Sequence, residues 1–245
     1  MTRLVGSELL KMRTTRTFWG LAGTIFGLVA LVTVLTLALD SGPWDAHHVR
    51  SVLSTGFASG LLMLVMGAVF SAGEYRHGTI AWTLLVTPDR LRTTSAQTVA
   101  VAIAGAAIGA ATAALTAAIA LPWLETKDAA VLSNGDLAKL FGGAVLYTSL
   151  AGALGAAFGA LLRNQVAAIV ILLVLLFVID PAVTALADGY AKYSLQGLGV
   201  ALTGGNADDV SGGEVLPFGV AVLLWAGYTA ALVVAAAAIT SRRDI

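Results

Sequence analysis

The chain has 245 residues, 58% of them hydrophobic and only 11% charged, with zero formal net charge and no cysteine. Soluble domains carry about 25% charged residues, so this composition excludes an ordinary soluble domain and points to a lipid bilayer. Disulfides, thiolate metal sites and cysteine nucleophiles are excluded as well.

Residues 1–17 place Val5, Leu9 and Met12 on one helical face, with Glu8 and Lys11 toward another, followed by Arg13 and Arg16. A basic cluster that merely orients the chain would explain the charges but not the apolar spacing. The pattern predicts a helix lying in the membrane interface, its basic stems reaching the headgroups. The first span, 18–39, is too long for the apolar region of a signal peptide, and no clear cleavage site follows it. His47 and His48 then lie beside Asp45 in a short connection. Adjacent residues point apart and no further ligand cluster is visible, so a solvated loop is preferred to a metal site.

The second span covers 51–72. Its Ser59, in "FASGLL", is similar to a membrane serine-protease nucleophile. Such chemistry needs a histidine base within reach, and His47, His48 and His77 all fall in loops. Next comes "GEYRHGTIAWTLLVTPDRLRT", residues 73–93, too polar to span and too apolar for an idle linker. Thr79, Thr83 and Thr87 share one helical stripe, and Ile80, Ala81, Trp82, Leu84, Leu85 and Val86 cover the rest. This predicts a short helix largely buried against headgroups, other helices or another protein. Gly78 permits the turn before it and Pro88 ends it.

Thr87 as cap and Pro88 at the first helical position predict that the third span starts at 88. Its charge-free window is 95–120. A helix over 88–120 is about 50 Å long, so Arg90 and Arg92 project beyond the hydrocarbon. The fourth span, 139–162, carries Gly155 and Gly159 at GxxxG spacing, as Gly105 and Gly109 do in the third. The fifth, 166–187, holds Asp180 in "FVIDPAV", about 22 Å from the span's start. A helix break at Pro181 with Asp180 near the far interface is preferred to an ion-coupling carboxylate. After a loop over 188–213, the sixth span is 215–239. Apart from Asp180, the charge-free windows of the spans, with the third taken as 95–120 and the fourth as 140–162, contain no Asp, Glu, Lys, Arg or His.

Ten of the fourteen Lys and Arg residues fall on the side shared by both termini. The positive-inside rule places that side in the cytoplasm. The expected fold is therefore all-α: an interfacial helix over 1–17 and one six-helix transmembrane domain over 18–245. No lysine sits in a GxxxxGK[ST] phosphate loop, so any ATPase must be another chain.

The basic amphipathic start "SELLKMRTTRTFW", the six spans and the first inward loop "GEYRHGTIAWTLLVTPDRLR" together resemble the membrane subunits of type-2 ABC exporters, the bacterial drug, lipid and polysaccharide export permeases. Glu74, Gly78 and Thr79 match the Glu-x-x-x-Gly-Thr core, and Leu84, Leu85 and Pro88 the Leu-Leu-x-x-Pro part. Architecture matches along the whole chain, the motifs over about forty residues. Gln97 departs from the pattern, where many relatives carry lysine.

The resemblance implies that residues 1–17, with Glu8, Lys11, Arg13 and Arg16, form an elbow helix. It implies that Glu74, Arg76, Gly78, Thr79, Trp82, Leu84, Leu85, Pro88, Arg90 and Arg92 form a coupling element on a separate ATP-binding cassette subunit. Glu74 is expected to pair with Arg13 or Arg16. A second permease chain, identical or different, completes the transporter, and short re-entrant helices are expected between spans five and six, near Asp180-Pro181 and "GGNADDVSGG". Membrane lipids are the other expected partners; no cofactor, metal or nucleic acid is expected. Two other readings remain open: a non-transporting assembly or anchor protein, and an ion-coupled carrier using Asp180.

Overall fold

The computed structural model of the chain describes residues 1–40, 42–54, 56–205, 210 and 214–242, without the side chains of 56, 57, 84, 86 and 240–242. The side chain of Leu84, most of "GGNADDVSGG" and Arg243 thus lie outside the described residues. The regular structure among those described is all helical, with no strand among them. In chain order the helices are α1 (Thr2–Thr14), α2 (Arg16–Leu39), α3 (Ala46–Leu53), α4 (Gly56–Arg76), α5 (Thr79–Val86), α6 (Arg90–Glu125) and α7 (Asn134–Leu162). They continue with α8 (Gln165–Val174), a π turn (Leu175–Ile179), α9 (Asp180–Leu186), a 3₁₀ turn (Ala191–Tyr193), α10 (Leu195–Thr203) and α11 (Phe218–Arg242). Among the described residues, six helical runs are long and apolar enough to cross a membrane: α2, α3–α4, α6, α7, α8–α9 and α11. By length and composition this is a multi-pass membrane protein.

Several boundaries differ from the sequence reading for local reasons. The histidine pair lies not in a solvated loop but on α3, where the Asp45 side chain accepts from the His48 backbone N–H. His48 Nε2 also sits 2.7 Å from Asp40 Oδ2. The second span therefore starts at Ala46 rather than 51. The third starts at Arg90, not 88: Asp89, rather than Thr87, caps it by accepting from the Arg92 N–H at 3.0 Å. A carboxylate at this position both binds the free N–H and meets the positive end of the helix dipole. At 36 residues α6 is about 54 Å long.

Pro181 does not end its helix. The chain widens into the π turn before it and continues helically to Leu186. In a π turn the Leu176 carbonyl would bond the backbone N–H of residue 181, which proline lacks. Gln196 Nε2 donates to that carbonyl instead, at 3.2 Å. The orphaned group is thus satisfied from α10, and the helix survives its proline.

Helices α4, α6 and α7 form the interior, with α2, α8–α9 and α11 around them. About 60% of the α4 and α7 spans is buried, against 22% of the α8–α9 and α11 spans. Both GxxxG pairs lie at closest approach. A Cβ on Gly155 or Gly159 would collide with the carbonyl oxygens of Leu64 or Ala68 on α4, and one on Gly105 would press on the Thr148 carbonyl of α7. Around these contacts Tyr147, Trp225, Leu172, Leu198 and Leu202 fill the core, the Tyr147 and Trp225 rings meeting edge to face at 5.3 Å. Ser59 on α4 shares a buried hydrogen bond with Thr148 on α7 at 2.9 Å, so it acts as an interhelical tie.

Candidate functional site

At the end of the bundle where α4 turns into α5 and α6 begins, α1 packs against the interior helices. Met12 is buried among Ile25, Met63, Met66 and Val101. The predicted separation of faces on α1 does not hold, because Glu8 is buried with Met12 and Lys11 is half-buried beside them. Residues 4, 8, 11 and 15 form one stripe at helical spacing, directly beside 5, 9 and 12. Both stripes turn inward.

Lys11 is the hub. Its Nζ lies 2.6 Å from Glu8 Oε1, 2.8 Å from Glu74 Oε1 and 3.3 Å from Thr83 Oγ1. An ammonium has three N–H donors, and each finds an acceptor on a different helix: α1, α4 and α5. This corrects the expected pairing of Glu74 with Arg13 or Arg16. Thr15 is extended (φ −90°, ψ 126°), and Arg13 and Arg16, flanking that break, are both exposed.

Two carboxylates share one cation here. Burial, and next the nearby Glu74 carboxylate, hold the Glu8 carboxyl above its usual range despite the lysine. For Lys11, burial opposes the charge, but the hydrogen bonds it donates to Glu74 and Glu8, with their negative charge, outweigh this and its pKa rises.

Gly78 makes the turn into α5 at φ +68°, a conformation that favours glycine. The Thr79 hydroxyl closes this turn on the Glu74 carbonyl at 3.3 Å. Helix α5 turns Thr83 of its threonine stripe toward Lys11. Among its described side chains only Ile80 is buried, whereas Trp82 and Leu85 are 74% and 76% exposed. A cavity of about 650 Å³ opens between α5 and the bundle, bordered by Lys11, Phe70, Glu74, Arg76, Trp82 and Gln165.

The remaining predicted residues divide. Arg76 donates to Gln165 Oε1 at 3.1 Å, joining the end of α4 to the start of α8. Pro88 and Arg92 border a second cleft of about 520 Å³ with Met1, Arg3 and Leu4. Arg90 is half-exposed. Gln97, the departure from the family pattern, is buried and accepts from the Ser71 hydroxyl at 2.9 Å, tying α6 to α4. Asp180 and Pro181 belong to a different region. Asp180 is 4% exposed and accepts from the Tyr190 hydroxyl at 2.9 Å. Burial first, and then this carboxylate, push the Tyr190 phenol up to about 12, so it remains a donor at neutral pH.

Sequence reasoning did not find Gln165, nor Thr83 as a ligand of Lys11. The i,i+3 spacing of Glu8 and Lys11 was a legible signal for half of the hub. The other half bridges 63 residues and carries no local signal. No protein-family model matches the chain, and comparison with curated proteins gave no match either.

Proposed function

We propose that the chain is the permease subunit of an ATP-driven exporter in the cytoplasmic membrane, with both termini, α1 and α5 on the cytoplasmic side. In this reading α1 is the elbow helix and α5 the coupling helix that docks on a separate ATP-binding cassette subunit. A second permease chain, identical or different, completes the substrate path, and drug-like molecules or lipids are the exported class.

The observation that carries the proposal is the mounting of α5. Two large apolar side chains, Trp82 and Leu85, stand in the open on a short helix whose polar face is clamped by Lys11 to α1 and to the end of α4. An exposed aromatic beside a leucine on a rigid support is an anchor for a protein partner. The clamp links that anchor to two bundle-packed helices, so a push on α5 is passed to α1 and α4 rather than absorbed by a loose loop. Sequence resemblance at Glu74, Gly78, Thr79 and Pro88 supports the same assignment.

The test is co-purification of the native complex and ATP-dependent export from vesicles. Trp82→Ala is expected to lose the ATPase subunit. Glu74→Ala is expected to keep the subunit but uncouple hydrolysis from export. A complex without a nucleotide-hydrolysing partner would return the chain to the assembly or anchor reading. Transport that survives ATP depletion with the ion gradient held, and stops in Asp180→Asn, would return it to the ion-coupled reading.

A further inference from the structure

Away from α5, a cavity of about 410 Å³ lies between α7, the α8–α9 run and α11, bordered at one end by Tyr190, Tyr193 and Leu195. Its lining is apolar except at that end. Phe158 and Leu232 form part of the wall, three tyrosines (Tyr190, Tyr193 and Tyr228) border it, and Asp180 is its one carboxylate. The placement of Asp180 is structural rather than incidental. The π turn brings it inward, Gln196 stabilises that turn, and the Tyr190 hydroxyl fixes one carboxylate oxygen. Tyr228 is held in turn by donating to the Tyr193 carbonyl at 3.3 Å.

What the carboxylate lacks is a cation. Among the described residues, no Lys, Arg or His forms an ion pair with Asp180. The nearest basic residue in sequence, Lys192, lies over the Tyr193 ring at 5.7 Å, but it is paired with Glu214 at 2.6 Å rather than with Asp180, and it does not itself line the cavity. A buried carboxylate without a counter-charge is costly, and aromatic rings around it add their own attraction for a cation.

We infer that this cavity binds a hydrophobic monocation, its charge on Asp180 and its apolar groups among Tyr193, Tyr228, Phe158 and Leu232. The inference goes beyond the proposed function and does not depend on it. A lipid with a cationic headgroup and a free amphipathic cation share the chemistry.

The experiment measures binding of radiolabelled tetraphenylphosphonium to the purified full-length chain in detergent micelles, without any ATPase. Saturable binding at one site per chain is expected, with neutral triphenylphosphine oxide a poor competitor. Asp180→Asn, which keeps an acceptor for Tyr190, is expected to weaken binding at least tenfold, and Tyr228→Ala several-fold. Absence of saturable binding, or unchanged affinity in an Asp180→Asn variant that melts like the parent, would overturn the inference. Should Asp180→Asn not fold, Leu232→Trp fills the cavity from α11; binding lost supports the site and binding unchanged overturns it. In nanodiscs, binding suppressed by phosphatidylcholine but not by phosphatidylglycerol assigns the site to a lipid headgroup; equal binding in both assigns it to a free cation. Failure here leaves the export reading standing, because no step of the assay involves export.

Discussion

Lys11 has three donors, and all three are used, so its removal strands two carboxylates. Lys11→Met is expected to destabilise the chain by about 1–2 kcal/mol, the low part of the range for an unpaired buried charge because the lysine side chain is 37% exposed. The loss should deepen as pH rises and the Glu8 carboxyl, held above its usual range, gives up its proton beside Glu74, and a Lys11→Met/Glu74→Gln double variant should recover most of it. In the parent the sign follows from Glu8. Its folded pKa lies above the ordinary value of 4.5, so its contribution is fully present below pH 4.5 and fades as pH climbs through the raised value. Glu8→Gln should flatten that slope. Thermal melting in detergent across this range checks both predictions.

For single elements, the same residue type has opposite meanings along α7. Gly155 lies against the backbone of α4, and Gly155→Ala should push the two helices apart, costing about 3 kcal/mol or preventing assembly. Gly142, with nothing within 4 Å of a added Cβ, should accept alanine and gain up to about 1 kcal/mol from helix propensity. Melting temperatures of the two variants, side by side, test the packing described for α4 and α7. Helix α5 gives the complementary case. Trp82→Ala should leave melting within about 0.5 kcal/mol of the parent, since the ring is mostly exposed, while abolishing capture of the proposed ATPase subunit. A large drop in stability would mean that Trp82 packs inside the chain and is no anchor.

Across the whole molecule, the interior of the bundle is held by small residues and the periphery by large ones. Alanines and glycines fill α4, α6 and α7 where backbones meet, while Leu31, Leu35, Val170, Leu173, Phe177 and Leu223 stand exposed on the outer helices. Lipid offers no hydrophobic drive between helices, so close backbone approach and buried polar ties do that work. Ser59–Thr148, Ser71–Gln97 and Ser149 on the Ala102 carbonyl join the three interior helices to one another. A Ser71→Ala/Gln97→Leu pair, which removes both polar partners at once, should be nearly neutral in melting, whereas Ser71→Ala alone leaves the Gln97 amide oxygen buried without its donor and should cost about 1–3 kcal/mol.

The sequence by itself determined the helical class, the six spans and the polar segments between them, because apolar length and charge are local properties that the bilayer reads directly. It also placed a tight turn at Gly78, where the backbone has positive φ. Tertiary structure alone decided that Lys11, not an arginine, holds Glu74, that Trp82 and Leu85 face outward, and that Pro181 is carried through a π turn which buries Asp180 in a tyrosine-bordered cavity. Each of these depends on a partner dozens of residues away or on a neighbouring helix, and periodicity along one strand of sequence cannot report which face another helix has already filled.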